Sequence, residues 1–365
     1  MKPFAVIRIV TTPRRLIEAS GGTGLPGNWF RLDIAPKSYT RYSLPTWHAQ
    51  LQPNGFPVHS RGVTTGIDFL GSDESLGGPD DSPKPRSLGA AVASQVTLPS
   101  TIVASCSMPL PSSKCAIAAA LDSIADVARV RVRDVGQASF SSLCDKDGKA
   151  LLHFDVGLPI SFNGHTAPKA FDLDPEEKPT IVLSHWDWDH LHSAFIFPHL
   201  RECTWIVPDQ RLGPGAARLA RILAASGKLL VHPSSAVTTF PSGCIQQASG
   251  PEQNNNDSGL ILSASLLSGR KVLFTGDSDY RYLPPTLGAS DALVATHHGA
   301  RLQSGSKAIP VPATNADTLL LSFGKRNVYR HPDITALSQH RRAGWKRQIA
   351  TASTVGGARG DKDFT

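Results

Sequence analysis

The stretch TIVLSHWDWDH, residues 180–190, decides the fold assignment, because an apolar run ends there in four residues that can bind metal. The four are His185, Asp187, Asp189 and His190. Alternate residues of an extended segment face the same side, so residues 185, 187 and 189 can converge on one point. Imidazole and carboxylate groups together suit Zn²⁺, Mn²⁺ or another borderline cation. The stretch therefore predicts a metal site; the alternative is a polar loop with two exposed tryptophans.

Further short apolar runs that end in polar residues follow over residues 128–348, and helical patterns are interleaved with them. This alternation is typical of a layered α/β domain. The predicted helices cover 115–128, 215–226 and about 332–344. The predicted strands lie within 128–136, 149–157, 179–185, 205–208, 228–231, 259–267, 271–277, 291–297 and 317–324. Residues 349–365 are expected to form a flexible tail.

Residues 1–127 have a different composition. Much of the chain's proline and glycine lies there, and the connector at 72–89 has almost no apolar content. Strand-like patches occur only at Phe4–Val10 and Gly66–Leu70. We expect an irregular N-terminal region at 1–127, to which the sequence assigns no function, followed by the layered α/β domain at 128–348.

The composition of the chain limits the classes of protein to which it can belong. The formal net charge is +7 and the isoelectric point is about 9.2, which favours partners that carry phosphate. The five cysteines form no CxxC pair, so neither a disulfide framework nor a zinc finger is expected. No apolar run reaches the roughly 18 residues that span a bilayer. We therefore expect no membrane segment and a cytoplasmic protein.

Other candidate residues follow later strands. Asp277 ends VLFTGD, and His297 and His298 end ALVATHH. Taken alone, an aspartate in this position is more often a turn or cap residue, and a lone histidine is more often a satisfied core residue. Their presence in one domain with residues 185–190 makes them candidate ligands. The same reasoning covers Asp155 and His331.

The order of these motifs resembles the hydrolase domain of ComEC-type proteins, a branch of the metallo-β-lactamase superfamily. The resemblance spans about 130–335. In chain order the motifs are DVGQAS (134–139), FDVG (154–157), SHWDWDH (184–190), NNNDSGLILS (254–263), VLFTGD (272–277), ATHHGA (295–300) and SFGKRNVYRHP (322–332). The resemblance implies a four-layer αββα sandwich.

The resemblance also implies a site for two divalent metal ions, Zn²⁺ or Mn²⁺. One ion would take His185 and Asp187, and Asp277 would bridge both. The other would take Asp189, His190 and His297. Supporting roles would fall to His298, Asp155 and Asp134. The superfamily's usual HxHxDH motif has histidine where this chain has Asp187; the carboxylate hardens the site and favours Mn²⁺ or Mg²⁺.

The chain departs from the family pattern at a few positions. Ser139 replaces an acidic residue, Ala300 replaces a serine, and His192 lies where small residues are usual. Asn256 and Ser258 stand where the superfamily places another histidine ligand. The first three departures bear on loop geometry and substrate fit more than on metal binding. The missing histidine at 256–258 leaves one metal under-coordinated or lets water complete its ligand set.

A pair of cations lowers the pKa of a shared water and stabilises the charge that develops at phosphorus or carbon. The resemblance then implies Asp189, Asp277 and His331 as catalytic residues, with Tyr329 as an alternative to His331. Arg301 fits a phosphate clamp, although an ordinary surface charge explains it better.

Three functions remain open at this stage. The leading hypothesis is a phosphodiesterase or nuclease that acts on DNA or a nucleotide. The alternatives are a hydrolase of a lactone or thioester, and a metal-binding interaction module without activity. Trp186 and Trp188 would stack on bases in the first case, although packing beneath the loop is the better interpretation. The sequence indicates no protein partner.

Overall fold

The computed structural model describes residues 29–33, 46–50, 108–159, 161–212, 214–302, 308–314, 317–352 and 358–365. The chain forms two compact units: Met1–Ser107 with Leu212–Arg218, and Met108–Arg211 with Leu219–Thr365.

In the first unit, strand β1 (Trp29–Asp33) pairs antiparallel with β2 (Thr46–Gln50). The strand-like patches predicted at Phe4–Val10 and Gly66–Leu70 lie outside the described residues.

The second unit contains two seven-stranded sheets. The first sheet has the order β16-β3-β4-β5-β6-β7-β8 and the second has the order β15-β14-β13-β12-β11-β10-β9. The strands of the first sheet are β3 Arg129–Val132, β4 Phe140–Cys144, β5 Ala150–Val156, β6 Thr180–Val182, β7 Trp205–Pro208, β8 Leu229–His232 and β16 Lys362–Phe364. Those of the second are β9 Val237–Phe240, β10 Gly243–Gln247, β11 Leu260–Ser265, β12 Lys271–Phe274, β13 Ala292–Val294, β14 Thr318–Leu321 and β15 Arg347–Ala350.

The described residues include five short to medium α-helices. They are α1 Lys114–Leu121, α2 Trp188–Leu191, α3 Ser193–Ile196, α4 Pro214–Ala225 and α5 Ile334–Arg342. The described 3₁₀ turns are Ser161–Thr166, Pro198–Glu202, Tyr280–Tyr282, Pro285–Leu287 and Thr296–Gly299. Among the described helices, none combines the length and apolar composition needed to cross a bilayer.

Each sheet has an antiparallel half and a parallel half. Strands β5 to β8 run parallel to one another, and so do β12 to β15. Parallel neighbours end at the same edge of a sheet, so polar residues that follow these strands lie together. This arrangement places the loops that begin at residues 183, 275, 295 and 322 at shared edges.

The main hydrophobic core lies between the two sheets. Val130 and Leu152 of the first sheet belong to one buried cluster with Leu262 and Phe274 of the second. Full burial of each such side chain contributes about 2 kcal/mol. The mixed α/β sandwich predicted from the sequence is therefore confirmed.

The outer face of the second sheet carries a second core. In β12, Val272 and Phe274 belong to the core between the sheets, whereas Leu273 belongs to this second cluster. The difference arises because successive side chains of a strand point to opposite faces of the sheet. That cluster includes Ala336 of α5 and the fully buried Trp345. Asp333 caps α5, since its side chain accepts a hydrogen bond from the Ala336 N–H.

Helix α1 belongs to the sandwich and not to the irregular region where the sequence analysis placed it. Ser113 caps it by accepting from the Ala116 N–H at 3.2 Å. The helix ends at Leu121, earlier than predicted. Ile117 and Leu121 are fully buried in the core between the sheets, which explains why the compact unit starts at Met108.

The flexible tail predicted at 349–365 is wrong for the residues that the structure describes there. Strand β15 reaches Ala350, and β16 pairs antiparallel with β3 at the edge of the first sheet. Ion pairs between the two strands hold β16 in place: Arg131 donates from Nε and from Nη2 to the two carboxylate oxygens of Asp363, each at 2.8 Å. Arg133 likewise meets Asp361 at 2.9 Å. The pairing is long-range, so local sequence gave no signal for it.

A buried histidine in β5 makes the fold sensitive to acid. His153 is 3% exposed and lies 3.0 Å from the Ser142 hydroxyl. Burial lowers the pKa of His153 to about 3, with a further contribution from Arg133. The unfolded chain takes up this proton near pH 6.5. The stability that depends on neutral His153 is therefore complete above about pH 6.5 and is lost progressively as the pH falls towards 3.

We expect His153→Gln to flatten this dependence, because glutamine keeps a hydrogen-bonding group beside Ser142 but does not titrate. Between pH 7 and pH 5 the wild type should lose about 2 kcal/mol more unfolding free energy than the variant. Urea titrations of both proteins at the two pH values measure this difference. Parallel losses in the two proteins would show that His153 does not set the acid limit.

Candidate metal centre

The predicted ligands meet where strand ends of the two sheets come together. The loop after β6 supplies His185 to His190, the loop after β12 supplies Asp277, and the turn after β13 supplies His297 and His298. Contacts between these loops join the two sheets at this edge. The convergence that the sequence analysis required is thus present.

One group of possible metal ligands consists of His185, His190 and Asp277, all buried. One ligand atom from each lies within 4.8 Å of the others. Asp277 Oδ1 is 3.3 Å from His190 Nε2, and Asp277 Oδ2 is 3.9 Å from His185 Nε2. Asp187 lies at the side of this group, with Oδ2 3.4 Å from His185 Nε2.

A second group consists of Asp189, His190 and His298. Asp189 Oδ2 is 3.3 Å from His298 Nε2, and its Oδ1 is 3.9 Å from His190 Nε2. The Nδ1 atom of His298 donates to the Ser322 carbonyl at 2.9 Å, and this bond holds the ring with Nε2 facing Asp189. His298 was expected only to support the site, so this grouping gives it a larger part than the sequence analysis did.

Both members of the tandem histidine pair reach the site. His297 Nε2 is 3.7 Å from Asp277 Oδ2, on the opposite side of that carboxylate from His190. The backbone makes this possible, because His297 has φ +49° and His298 has φ +56°. Such left-handed residues are uncommon outside glycine and tend to occur where function fixes the backbone.

Asp155 holds the first ligand loop in place, the orienting role expected for it. The buried carboxylate accepts hydrogen bonds from the Ser184 N–H at 2.7 Å, the Ser184 hydroxyl at 2.9 Å and His190 Nδ1 at 2.8 Å. The last bond fixes the ring of His190 so that Nε2 faces Asp277. A carboxylate behind a ligand histidine also increases the basicity of that histidine.

We predict that Asp155→Asn lowers metal affinity about 10–100-fold, because an amide cannot accept from all three donors. A competition titration with a chromophoric chelator measures this loss. The control is Asp145→Asn, which alters a carboxylate that accepts from the backbone of an exposed turn at Asp147 and Lys149. Equal affinities in the two variants would remove Asp155 from the support of the site.

The other acidic residue expected to orient a loop, Asp134, contacts the C-terminal segment instead. Its carboxylate accepts from Arg359 Nε at 2.6 Å, and from the Gly136 N–H at 3.3 Å within its own turn. Arg359 also donates to the Thr166 carbonyl at 2.8 Å. Asp134 therefore ties the last residues of the chain to the DVGQAS turn.

The charged groups of the site hold one another in the ionised state. Burial raises the pKa of Asp189, but the hydrogen bond from His298 and the charge of His190 outweigh it and bring the value to about 2. Burial likewise opposes ionisation of Asp277, yet His190 and His297 lower its pKa well below the ordinary value. Both carboxylates are thus available as anions, as metal binding requires.

The residues present fit a divalent metal. The Nε2 atoms of His185 and His190 are buried and form no hydrogen bond within the described residues, although each lies close to a carboxylate. A buried polar atom without a hydrogen bond is costly, and a bound cation would satisfy both nitrogens. Imidazole nitrogens and carboxylate oxygens are also the donors that Zn²⁺ and Mn²⁺ take.

The loop after β10 contains Asn256 and Ser258, which stand where the superfamily places a histidine ligand. The Ser258 hydroxyl donates to the Asn254 carbonyl at 2.8 Å and is thereby used within its own loop. The residue between them, Asp257, was not singled out from the sequence. Its buried carboxylate accepts from the Asp279 N–H at 2.8 Å, two residues after the ligand Asp277. Asp257 therefore supports the turn that presents Asp277.

His331 lies beside the tandem histidines. Its ring centroid is 5.6 Å from that of His297, and its Nε2 atom is buried without a hydrogen-bond partner among the described residues. Burial lowers the pKa of His331 well below the ordinary value, and His297 and His298 add to this effect. The sequence analysis placed His331 at the site, and the structure brings it there.

The tryptophans beside the ligands pack into the protein. Trp186 is 4% exposed and donates its indole N–H to the Pro208 carbonyl at 3.2 Å. Trp188 is half-buried, and its ring lies 5.2 Å from that of Phe195. The packing interpretation is confirmed for Trp186. Arg301 is exposed.

Comparison with known proteins identifies the family. The sequence profile described as the metallo-beta-lactamase superfamily matches residues 135–322, more than half of the chain. The chain belongs to the metallo-beta-lactamase superfamily. The matched range includes every ligand candidate that follows strands β6, β12 and β13. No curated protein sequence matches the chain.

Solved structures of the superfamily fold resemble this chain at low identity. YhfI from Bacillus subtilis is 12% identical, with a TM-score of 0.38, covering 65% of this chain and 100% of its own. Zn²⁺-bound PqqB from Methylobacterium extorquens is 12% identical, with a TM-score of 0.36, covering 65% of this chain and 99% of its own. A long-form RNase Z from yeast is 11% identical, with a TM-score of 0.31, covering 55% and 38%.

Proposed function

We propose that the protein is a metal-dependent phosphodiesterase that acts on DNA or nucleotides through two divalent ions. The observation that carries the proposal is the convergence of two buried histidines with unbonded Nε2 atoms on the carboxylate of Asp277. When bound, a pair of cations supplies Lewis acidity and makes water nucleophilic near neutral pH. Superfamily membership agrees with metal-dependent hydrolysis.

The preference for a phosphodiester rests on three features of this chain. Asp187 takes the place of a histidine, so the site is richer in carboxylate oxygens and suits Mn²⁺ as well as Zn²⁺. The order of motifs resembles the ComEC-type branch. The net charge of +7 attracts polyanions. The same metal centre also serves lactone or thioester hydrolysis, so the substrate must be tested directly.

The side chains have distinct proposed roles. His185 and Asp187 would hold one ion, and Asp189 and His190 would hold the other, with His297 or His298 completing the second set. Asp277 lies 3.9 Å from His185 and 3.3 Å from His190, and its carboxylate would accept a hydrogen bond from the attacking water.

His331 would act on the substrate and not on the ions. Its Nε2 atom is buried near His297 and has no partner among the described residues, so it can form a hydrogen bond with a substrate oxygen. Such a bond strengthens as charge develops on that oxygen in the transition state. Tyr329, whose ring lies 5.6 Å from that of His331, is the neighbouring alternative for this role.

The test is a substrate screen with full-length protein. Plasmid DNA, single-stranded DNA and bis-p-nitrophenyl phosphate are incubated with Mn²⁺ or Zn²⁺, beside a lactone and a thioester. We expect cleavage of the phosphodiesters, inhibition by EDTA and loss of activity in Asp189→Ala. Opening of the lactone or thioester with intact phosphodiesters would establish the carbonyl reaction instead. Binding of DNA or protein without bound metal or turnover would favour an interaction module.

A further inference from the structure

The loop between β14 and α5 carries an exposed cluster of positive charge. We call residues 322–331 the cationic loop, because Lys325, Arg326 and Arg330 all lie exposed within it. None of these three forms an ion pair with another residue of the described chain, in contrast to the arginines of β3 at the sheet edge. Their charge is therefore available to an external anion.

Both ends of the cationic loop touch the metal centre. At its start, the Ser322 carbonyl accepts from His298 Nδ1 at 2.9 Å. At its end, the ring of His331 lies 5.6 Å from that of His297. Consecutive Cα atoms are about 3.8 Å apart, so the backbone of Arg330 is about 4 Å from that of His331. The three positively charged residues are therefore only a few positions along the chain from Ser322 and His331, which contact the histidines of the metal centre.

Hydrogen bonds fix the cationic loop in one conformation. Asn327 accepts from the His331 N–H at 2.9 Å and donates to the carbonyls of Gly324 and His331 at 2.7 Å. From outside the loop, Asn163 accepts from the Val328 N–H at 3.0 Å. A loop held in this way loses little freedom when a ligand binds, so its charges are preorganised.

The two arginines adopt an unusual backbone conformation. Arg326 has φ +60° and Arg330 has φ +61°, a region that L-residues other than asparagine and aspartate seldom occupy. The Arg326 carbonyl bonds to His165 Nε2 at 3.0 Å, which helps to hold it there. Strain of this kind tends to collect at binding sites. Asparagine would fit both positions at least as well, so the stability of the local backbone does not explain why arginine occupies them.

A buried polar atom without a partner marks the end of the loop. His331 is 9% exposed, and its Nε2 atom forms no hydrogen bond with any described residue. An acceptor from a ligand would satisfy it. The unpartnered nitrogen and the adjacent Arg330 thus suit an oxygen-rich anion at the same place.

We infer that the cationic loop binds phosphates of a polynucleotide that flank the bond to be cleaved. The inference rests on the proposed function and makes it narrower, since a single-phosphate substrate would leave most of the loop unused. Guanidinium groups bind phosphate through two parallel hydrogen bonds, and lysine binds it as a point charge. The loop selects a nucleic-acid strand over a small diester without recognising base sequence.

The test removes the three charges and keeps the loop. The variant combines Lys325→Gln with Arg326→Asn and Arg330→Asn, because asparagine tolerates a positive φ. For the Mn²⁺-loaded protein, we expect KM for a single-stranded oligonucleotide to rise about tenfold at 0.1 M salt. The ratio of kcat/KM for the oligonucleotide to that for bis-p-nitrophenyl phosphate should fall by the same factor.

A second readout measures binding without turnover. Fluorescence anisotropy of a labelled oligonucleotide in EDTA gives the dependence of affinity on salt. Removing three phosphate contacts should reduce the slope of log K against log salt by about 2. An unchanged slope would overturn the inference.

The matched control removes three exposed charges from the opposite edge of the second sheet. Lys271 begins β12, and Lys346 and Arg347 lie where β15 begins. Their combined replacement by glutamine changes the net charge equally, and we expect KM and the salt slope to stay within twofold of the wild type. If both triple variants had equal effects, the net charge of the protein and not the position of the loop would explain the binding, and the inference would be overturned.

The proposed function and the inference fail in different ways. If the wild type cleaves no phosphodiester, the proposed function fails, and the anisotropy titration still decides whether the loop binds a polynucleotide. If the wild type cleaves both substrates but the loop variant treats them alike, the inference fails and the proposed function stands. Circular dichroism of both triple variants verifies that they fold.

Discussion

Replacement of Asp277 by asparagine is expected to lower kcat/KM for the hydrolysed substrate by about three orders of magnitude. The carboxylate lies between His185, His190 and His297, with oxygen–nitrogen distances of 3.9, 3.3 and 3.7 Å. An amide of the same shape loses the negative charge that offsets the cations. Steady-state kinetics with Mn²⁺ or Zn²⁺ and metal analysis of the purified variant measure the effect.

The matched control for Asp277→Asn is Asp317→Asn. Asp317 is also buried, at 1% exposure, and it accepts hydrogen bonds from Thr314. It precedes β14, at the opposite end of the parallel strands from the metal centre. We expect near wild-type kinetics and metal content in this variant. Comparable losses in both variants, or full activity in Asp277→Asn, would contradict a central role for Asp277.

The second large effect is expected when a single methyl group is added at Gly157. In Gly157→Ala, the added Cβ would lie 1.6 Å from the Asp189 carbonyl oxygen and 2.7 Å from that of Ser139. Both contacts are with backbone, so the ligand loop would have to move. We expect a loss of at least about 4 kcal/mol of stability, a fall in melting temperature of about 10 °C or more, and much weaker metal binding.

Gly164→Ala provides the control for this prediction. A Cβ at Gly164 would meet nothing within 4 Å, and neither glycine has a positive φ. Calorimetry of the two variants should therefore separate close packing from the general effect of replacing glycine. A melting temperature for Gly157→Ala near that of the control would show that β5 and the ligand loop do not approach as closely as described.

The residues that could be predicted from sequence are those with a dense local signal. The run from His185 to His190 has four potential ligands after an apolar strand, and Asp277 follows another. The apolar run of β12, whose side chains pack into both hydrophobic clusters, is also evident in the sequence. In these segments local chemistry and the global fold agree, so the sandwich and the position of its metal edge were predictable.

Other features depend on geometry that local sequence does not contain. His297 and His298 are neighbours, and only their left-handed backbone brings both imidazoles to the site. Asp257 lies in a polar loop and gains its role from the N–H of Asp279, which is distant in the chain. Strand β16 forms because Asp363 meets Arg131, again a long-range contact. Such contacts exist only after the chain has folded.

The most direct test of the metal centre is an anomalous difference map from crystals of the Zn²⁺-loaded protein, recorded above and below the zinc absorption edge. We predict two peaks on either side of the Asp277 carboxylate. One should lie about 2.0–2.1 Å from His185 Nε2, and the other at the same distance from His190 Nε2. Peaks elsewhere, or no peak near Asp277, would contradict the account.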